Sequence, residues 1–540
     1  MAIPSLAMIP SGYKDGKVYS VLPANGDGDF TFSRGSNATR VNKDGLIETM
    51  PLELGSELVT NGGFDSDSNW TKGTGWSISG GKATHTGATG NLGQDVGIGG
   101  KTISLTFNIL SIADGVCNVY DDSNATTYAS FSTTGTKTLY FNSVSNSIVF
   151  RSNSTNVSID SVSVKEVLSG FDLPRLDYSD SSCPSLLLEP QRTNLLEYSE
   201  DFTQGWSTSR IESPYIADVL SPDGTLNAYT LEISSGQTNG GGLFKSGISI
   251  TGDNSLSVFA KKKNANYLIL GDTGLTTNAV YFDLENGVVG TTYNATGEIQ
   301  DFGNGWYRCT MKYTLTSSGL KFIYLSNIDG ETINGVQGGD SIYIYGAQLE
   351  QGSFPTSYIK SNSGSTTTRN AETCNGAGDA TTFNDSEGVL MVEISAFDNT
   401  DTSNRFISVL NGTDLLNGFF MFYGGATNRI RYQCNTSSGG VNLFTSDFNS
   451  ENNNKIVIKY KANDFALWIN GFEVGTDTTV SGTPTGLDNL AFNRSGTDNF
   501  YGNTKQIQYY NSALTDSELE KISSWTSFTD MATSQLYSIE

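Results

Sequence analysis

Between Thr102 and Leu110 the chain places Ile103, Leu105, Phe107 and Ile109 at every second position. Side chains alternate across a strand, so this run covers one face of a sheet and leaves the other polar. The same pattern returns in Leu139–Phe141, Ile148–Phe150 and Val157–Val164, each bounded by Gly, Asn, Asp or Ser. Within Val157–Val164 the apolar phase slips between Ile159 and Val162, which predicts a β-bulge. Repeated short runs of this kind predict an all-β protein. A chain of 540 residues is too long for one core, so several sandwiches in tandem are expected. Aromatic residues at 11% suit twisted sheets and exclude a disordered chain.

Two segments open alike. Leu58, Phe64 and Trp70 precede the strands of residues 54–168, and Leu196, Phe202 and Trp206 precede those of 197–361, with the same leucine-to-phenylalanine spacing. Both close on runs rich in Val or Ile, V-S-I-D-S-V-S-V-K-E-V and S-I-Y-I-Y-G-A-Q-L-E. They read as a distant internal repeat of two jelly rolls that resemble carbohydrate-binding modules. Residues 362–387, rich in Ser, Thr, Gly and Asn, read as an extended linker. Residues 388–525 read as a third sandwich. In F-A-L-W-I-N-G-F-E-V the pair Asn470–Gly471 predicts a two-residue hairpin turn. Thr515 and Glu518 have the spacing of a capping box, which predicts a short helix running to about Trp525. Phe500–Leu519 resembles the last strand and closing helix of laminin-G-like, concanavalin-A-like sandwiches. Residues 526–540 read as a tail.

The remaining segments are 1–53 and 169–196. The first holds a hairpin, Lys17–Leu22 with Phe30–Phe32, and contains F-S-R-G-S-N-A-T-R-V-N-K-D-G-L-I-E. The second contains L-P-R-L-D-Y-S-D-S-S-C-P-S-L-L-L-E-P-Q-R-T-N-L-L. Together they resemble one continuous phrase of virion proteins of tailed bacteriophages, here interrupted by residues 54–168. The resemblance implies a tail-fibre or receptor-binding protein on the virion surface, made in the bacterial host cytoplasm. Its implied partners are other virion proteins and a host surface glycan, and its implied state is a homo-oligomer, the trimer being common among phage fibres. Residues 1–53 would attach to the particle, with 169–196 continuing them as a connector. A head-fibre, capsid-decoration or tail accessory subunit without strong glycan affinity is the alternative role. A polysaccharide-degrading enzyme is the lesser one.

Charge and chemistry narrow the classes. A net charge of −24, spread along the chain, leaves no extended basic surface for nucleic acid. No segment has the ~20 apolar residues of a membrane-spanning helix, and Met1–Pro10 lacks the form of a secretory signal. Five scattered cysteines imply neither disulfides nor a metal site. The lone histidine, His85, is expected on an exposed strand or loop and cannot by itself furnish a catalytic triad. Glycoside hydrolysis needs only two carboxylates, but Glu393 and Asp398 fall on opposite faces of a strand, so no enzyme is expected. No cofactor is implied, apart from a weak calcium pattern in Asn25, Asp27 and Asp29 whose twelfth position is Ser36 rather than Glu.

Sugar binding needs an aromatic platform and hydrogen-bonding side chains. The candidates are Trp70 and Trp76 in the first module, Trp206 and Trp306 in the second, and Tyr423 and Tyr432 in the third. Trp70, Trp206 and Trp468 also occupy positions typical of core anchors, and Trp76 is the one expected to be exposed. Arg34, Arg40, Arg175 and Arg192, in the two interrupted phrases, are expected to pair with local carboxylates such as Asp44 and Asp177.

Overall fold

The computed structural model describes residues 2–527 except 114, 154–155, 180–182, 218, 318, 334, 362–363, 398–403, 425–428, 437–438 and 446–448. Among the described residues there is one α-helix, Asp516–Ser523, and the rest of the regular structure is strand. None of it is a helix long and apolar enough to cross a membrane. The architecture is the expected all-β one, tandem sandwiches with a concanavalin-A-like sandwich at the C-terminal end. Residues 1–50, 171–192 and 369–540 form one compact unit, and 51–170 with 193–368 form another.

The first unit is built on an eight-stranded and a five-stranded sheet. Leu390, Val392, Ile456 and Ile458 of the larger sheet share a buried core with Ile407, Val409, Phe419 and Met421 of the smaller. Segments far away in sequence complete the larger sheet. Leu6 pairs with Tyr509, and Leu186 pairs with Thr504, on the strand Gly502–Tyr510. The expected N-terminal segment, connector and linker are therefore parts of this unit. Thr373–Asn375, expected as linker, pairs with Phe30–Ser33 and buries Cys374 completely. Polar composition around 362–387 concealed these few inward-facing side chains. Most of the expected tail, 528–540, lies outside the described residues.

Local signals operate as expected here. Asn470 and Gly471 both take positive φ, 50° and 89°, and join Phe465–Ile469 to Phe472–Asp477. The Glu518 carboxylate accepts hydrogen bonds from the backbone N and Oγ1 of Thr515 at 3.0 and 2.9 Å, fixing the start of the helix. That helix buries Leu519 against Val389, Met391 and Trp468 on the outer face of the larger sheet.

A buried ionic cluster ties the three passes of the chain through this unit together. Arg175 donates from Nε to Glu372 at 2.8 Å and from Nη2 to Glu189 at 2.7 Å. Arg34 reaches Glu372 at 3.0 Å, and Arg369 reaches Glu189 at 2.6 Å. All five side chains are almost completely buried. Sequence had paired Arg34 and Arg175 with nearby carboxylates; the true partners lie up to 338 residues away. Of the others, Arg40 pairs with Glu48, Asp177 accepts from the backbone of Val41, and Arg192 donates to the carbonyl of Gln191.

The second unit contains two separate apolar cores. Phe64 and Trp70 pack at 5.2 Å in one, and Phe202 and Trp206 at 6.0 Å in the other. Trp70 donates to the carbonyl of Asn61 and Trp206 to that of Tyr198, so the two openings are built alike. The predicted bulge is present. Pairing shifts between Thr106 opposite Ser163 and Asn108 opposite Asp160, and Ser161 takes a φ of 55°. This lets Ile159 and Val162 both face the core. Each module's ends lie side by side, Glu53 opposite Ser169, and Thr193 hydroxyl-bonded to Thr368 at 2.8 Å. Such a module can be spliced into a host chain with little displacement of the flanks.

Candidate functional site

Except for the half-buried Trp206, the aromatic residues expected to meet a sugar are inside the protein. Trp76, expected to be exposed, is 7% accessible, donates to the carbonyl of Gly90 at 3.0 Å and lies 5.2 Å from the ring of His85. His85 is itself buried, against expectation, and its Nε2 contacts the Ala88 carbonyl at 2.9 Å. Trp76 opens the strand Trp76–Ile78, which pairs with Ala83–His85, and its indole joins the module's apolar core. Trp70 is buried in the same core, and Trp306 is buried in the second module with its indole bonded to the carbonyl of Leu220. Tyr423 and Tyr432 are core residues of the C-terminal sandwich, and burial pushes both hydroxyls well above the ordinary tyrosine range.

The calcium pattern resolves into turn chemistry. The Asp27 backbone N–H donates to Asn25 Oδ1, and the two side chains also bond each other. Asp29 accepts from the backbone and hydroxyl of Ser20 and pairs with Lys17 at 3.3 Å. Among the described residues no group of three or more His, Cys, Asp or Glu could hold a metal. Glu393 is engaged by Asn453 and Gln506, and Asp398 lies outside the described residues.

The strands that carry Tyr423 and Tyr432 present a candidate site on the opposite face. Within Asp414–Tyr423, residues 419, 421 and 423 point into the core, so Phe420 and Phe422 point outward. Within Ile430–Thr436, residues 430, 432 and 434 point inward, so Arg431, Gln433 and Asn435 point outward. Register places Phe406 opposite Phe422, Phe422 opposite Arg431, and Arg431 opposite Phe444. The result is one row across four strands, spanning about 14 Å at the usual strand spacing. The adjacent row carries Ser408, Phe420, Gln433 and Asn442.

Aromatic and cationic groups alternate along this face. Phe406 and Phe422 stack at 4.4 Å and 22°. Arg494 lies 5.2 Å from the Phe406 centroid and 5.7 Å from that of Phe420. Arg431 lies between Phe422 and Phe444 at 5.9 and 5.8 Å, and Arg429 sits 4.7 Å from Phe444. Phe444 is 47% accessible and Asn442 is exposed beside it. Gln433 is held by Asn435, which in turn is anchored on the carbonyl of Leu415. An exposed ring with amides one row away can hold the apolar face and the hydroxyls of a saccharide together. The sequence signal for this face was F-F-M-F-Y: an unbroken apolar run means both faces of the strand are covered.

Residues 390–520 match the Laminin_G_3 family, described as the concanavalin A-like lectin/glucanases superfamily. The C-terminal sandwich thus resembles in sequence the class its fold defines. No curated protein is significantly similar to the chain in sequence. Solved structures that resemble it include the CBM40 of the Ruminococcus gnavus IT-sialidase bound to alpha2,3 sialyllactose. That match has 19% identity and a TM-score of 0.24, and covers 27% of this chain and 92% of the other. Domain 4 of AbnA, a GH43 extracellular arabinanase from Geobacillus stearothermophilus, matches at 15% identity and a TM-score of 0.23, covering 28% and 73%. The NanB sialidase of Streptococcus pneumoniae matches at 17% identity and a TM-score of 0.23, covering 26% and 24%.

Proposed function

We propose that this is a bacteriophage virion surface protein that binds host-cell surface polysaccharide, acting as a tail fibre or receptor-binding protein. The observation that carries the binding role is the half-exposed Phe444 ring, flanked by arginine and amide side chains on a lectin-like sandwich. The virion origin is supported by the interrupted phrase Phe32–Glu48 and Leu173–Leu196. The chain acts by binding rather than by catalysis, with its two further modules carried as insertions.

Fluorescently labelled full-length protein, added to host cells and to resistant cells lacking surface polysaccharide, tests this. Binding to the first only, weakened by Phe444→Ala, is the expected result. Equal staining of both cell types, or none of either, overturns it.

A further inference from the structure

The chain carries 24 more negative than positive charges, yet one face of one sheet collects three arginines without a carboxylate partner among the described residues. Arg429, Arg431 and Arg494 make no ion pair with any described residue. Their Nε atoms are buried and without a hydrogen-bond partner. Asp498 lies in the same turn as Arg494, but its carboxylate faces Thr497 at 3.4 Å. Arg40, by contrast, pairs with Glu48, and Arg151 acts electrostatically on Asp122. Burying part of a guanidinium without a counter-charge is costly, and stacking on phenylalanine recovers only part of that cost. Stacking also fixes each planar fork in orientation while leaving its outer N–H groups available. Such a fork matches the paired oxygens of a carboxylate or sulfate ester.

Resting on the glycan-binding role proposed above, we infer that this face selects an anionic polysaccharide. Arg431 and Arg494 hold its carboxylate or sulfate groups, and Phe444, at the end of the row beyond Arg431, holds a sugar ring. Phe444, the exposed ring of the row, supplies contact that is independent of charge, and the arginines supply the selectivity. A chain of net charge −24 repels a polyanion elsewhere, which confines binding to this face.

The test pairs each acidic polymer with its neutral counterpart: dextran sulfate with dextran, and polygalacturonate with its carboxyl-reduced form. Binding of full-length protein is measured by biolayer interferometry at low and high salt, with host-cell staining in parallel. At least one charged polymer should bind about tenfold more tightly than its counterpart, and salt should weaken it. Which polymer wins separates sulfate from carboxylate. Arg431→Gln and Arg494→Gln should each lose about tenfold, with Arg431→Lys intermediate because it keeps charge but loses the fork. Should Arg494→Gln fail to fold, Arg429→Gln takes its place. Equal affinity for charged and neutral polymers overturns the anionic selectivity and leaves glycan binding standing. So does cell staining that is indifferent to Arg431→Gln and to salt. Failure to bind every polymer and the host cells overturns the glycan-binding role itself.

Discussion

The C-terminal sandwich unit holds two groups of three arginines that obey opposite rules. Arg34, Arg175 and Arg369 are enclosed, and each contacts Glu189 or Glu372. Arg429, Arg431 and Arg494 lie on phenylalanine rings and pair with no carboxylate among the described residues. Enclosure demands a partner, because an unpaired ion away from water costs more than the fold can recover. The outer face imposes a weaker demand, since part of each guanidinium still meets solvent. The first group holds chain segments together, and the second is the group proposed to meet a ligand.

The comparison can be broken most severely at Glu372, which serves two arginines. Glu372→Gln should lower the stability of this unit by about 3–5 kcal/mol, read as a shift of its transition in calorimetry. A loss under about 1 kcal/mol would show that the cluster is not essential to the fold. Arg34→Met is expected to cost less, about 1–3 kcal/mol. Three guanidinium groups face two carboxylates, burial lowers the Arg34 pKa against the pull of Glu372, and its Nη2 has no hydrogen-bond partner. Its removal forfeits the bonds to the carbonyls of Ser36 and Leu173 but balances the charge. On the outer face Arg431→Gln should leave stability within about 0.5 kcal/mol of wild type while glycan affinity falls. A melting point that drops as far as that of Glu372→Gln would make Arg431 a structural residue. Smallest of all, added salt should weaken ligand binding and scarcely move the calorimetric transition, because screening acts on exposed charges far more than on enclosed ones.

Much of the local structure could be read from neighbouring residues. The Asn470–Gly471 turn, the Thr515–Glu518 helix start and the bulge between Ile159 and Val162 each depend on a few adjacent positions. The paired Leu, Phe and Trp openings of the two modules were legible because equivalent cores impose equivalent spacing. The candidate site was half legible. Tyr423 and Tyr432 lie on the strands of the candidate face, but a period of two means that which face each side chain takes is decided by the sheet that packs beneath them. Trp76 was misjudged because its Gly-rich surroundings have the composition of an open loop, while the indole is enclosed by Gly90 and His85.

By itself, then, the sequence determined an all-β chain of tandem sandwiches, the position of its interrupted phrase, and the turns and caps that bound its elements. These follow from backbone geometry and side-chain alternation over a few residues. Tertiary structure alone decided that residues 1–50, 171–192 and 369–540 form one compact unit. It also decided that Arg34 finds Glu372, and that arginine and phenylalanine from several strands and a turn meet on one face. Those outcomes depend on strand register and on which charges are enclosed, energies that exist only once distant segments have packed.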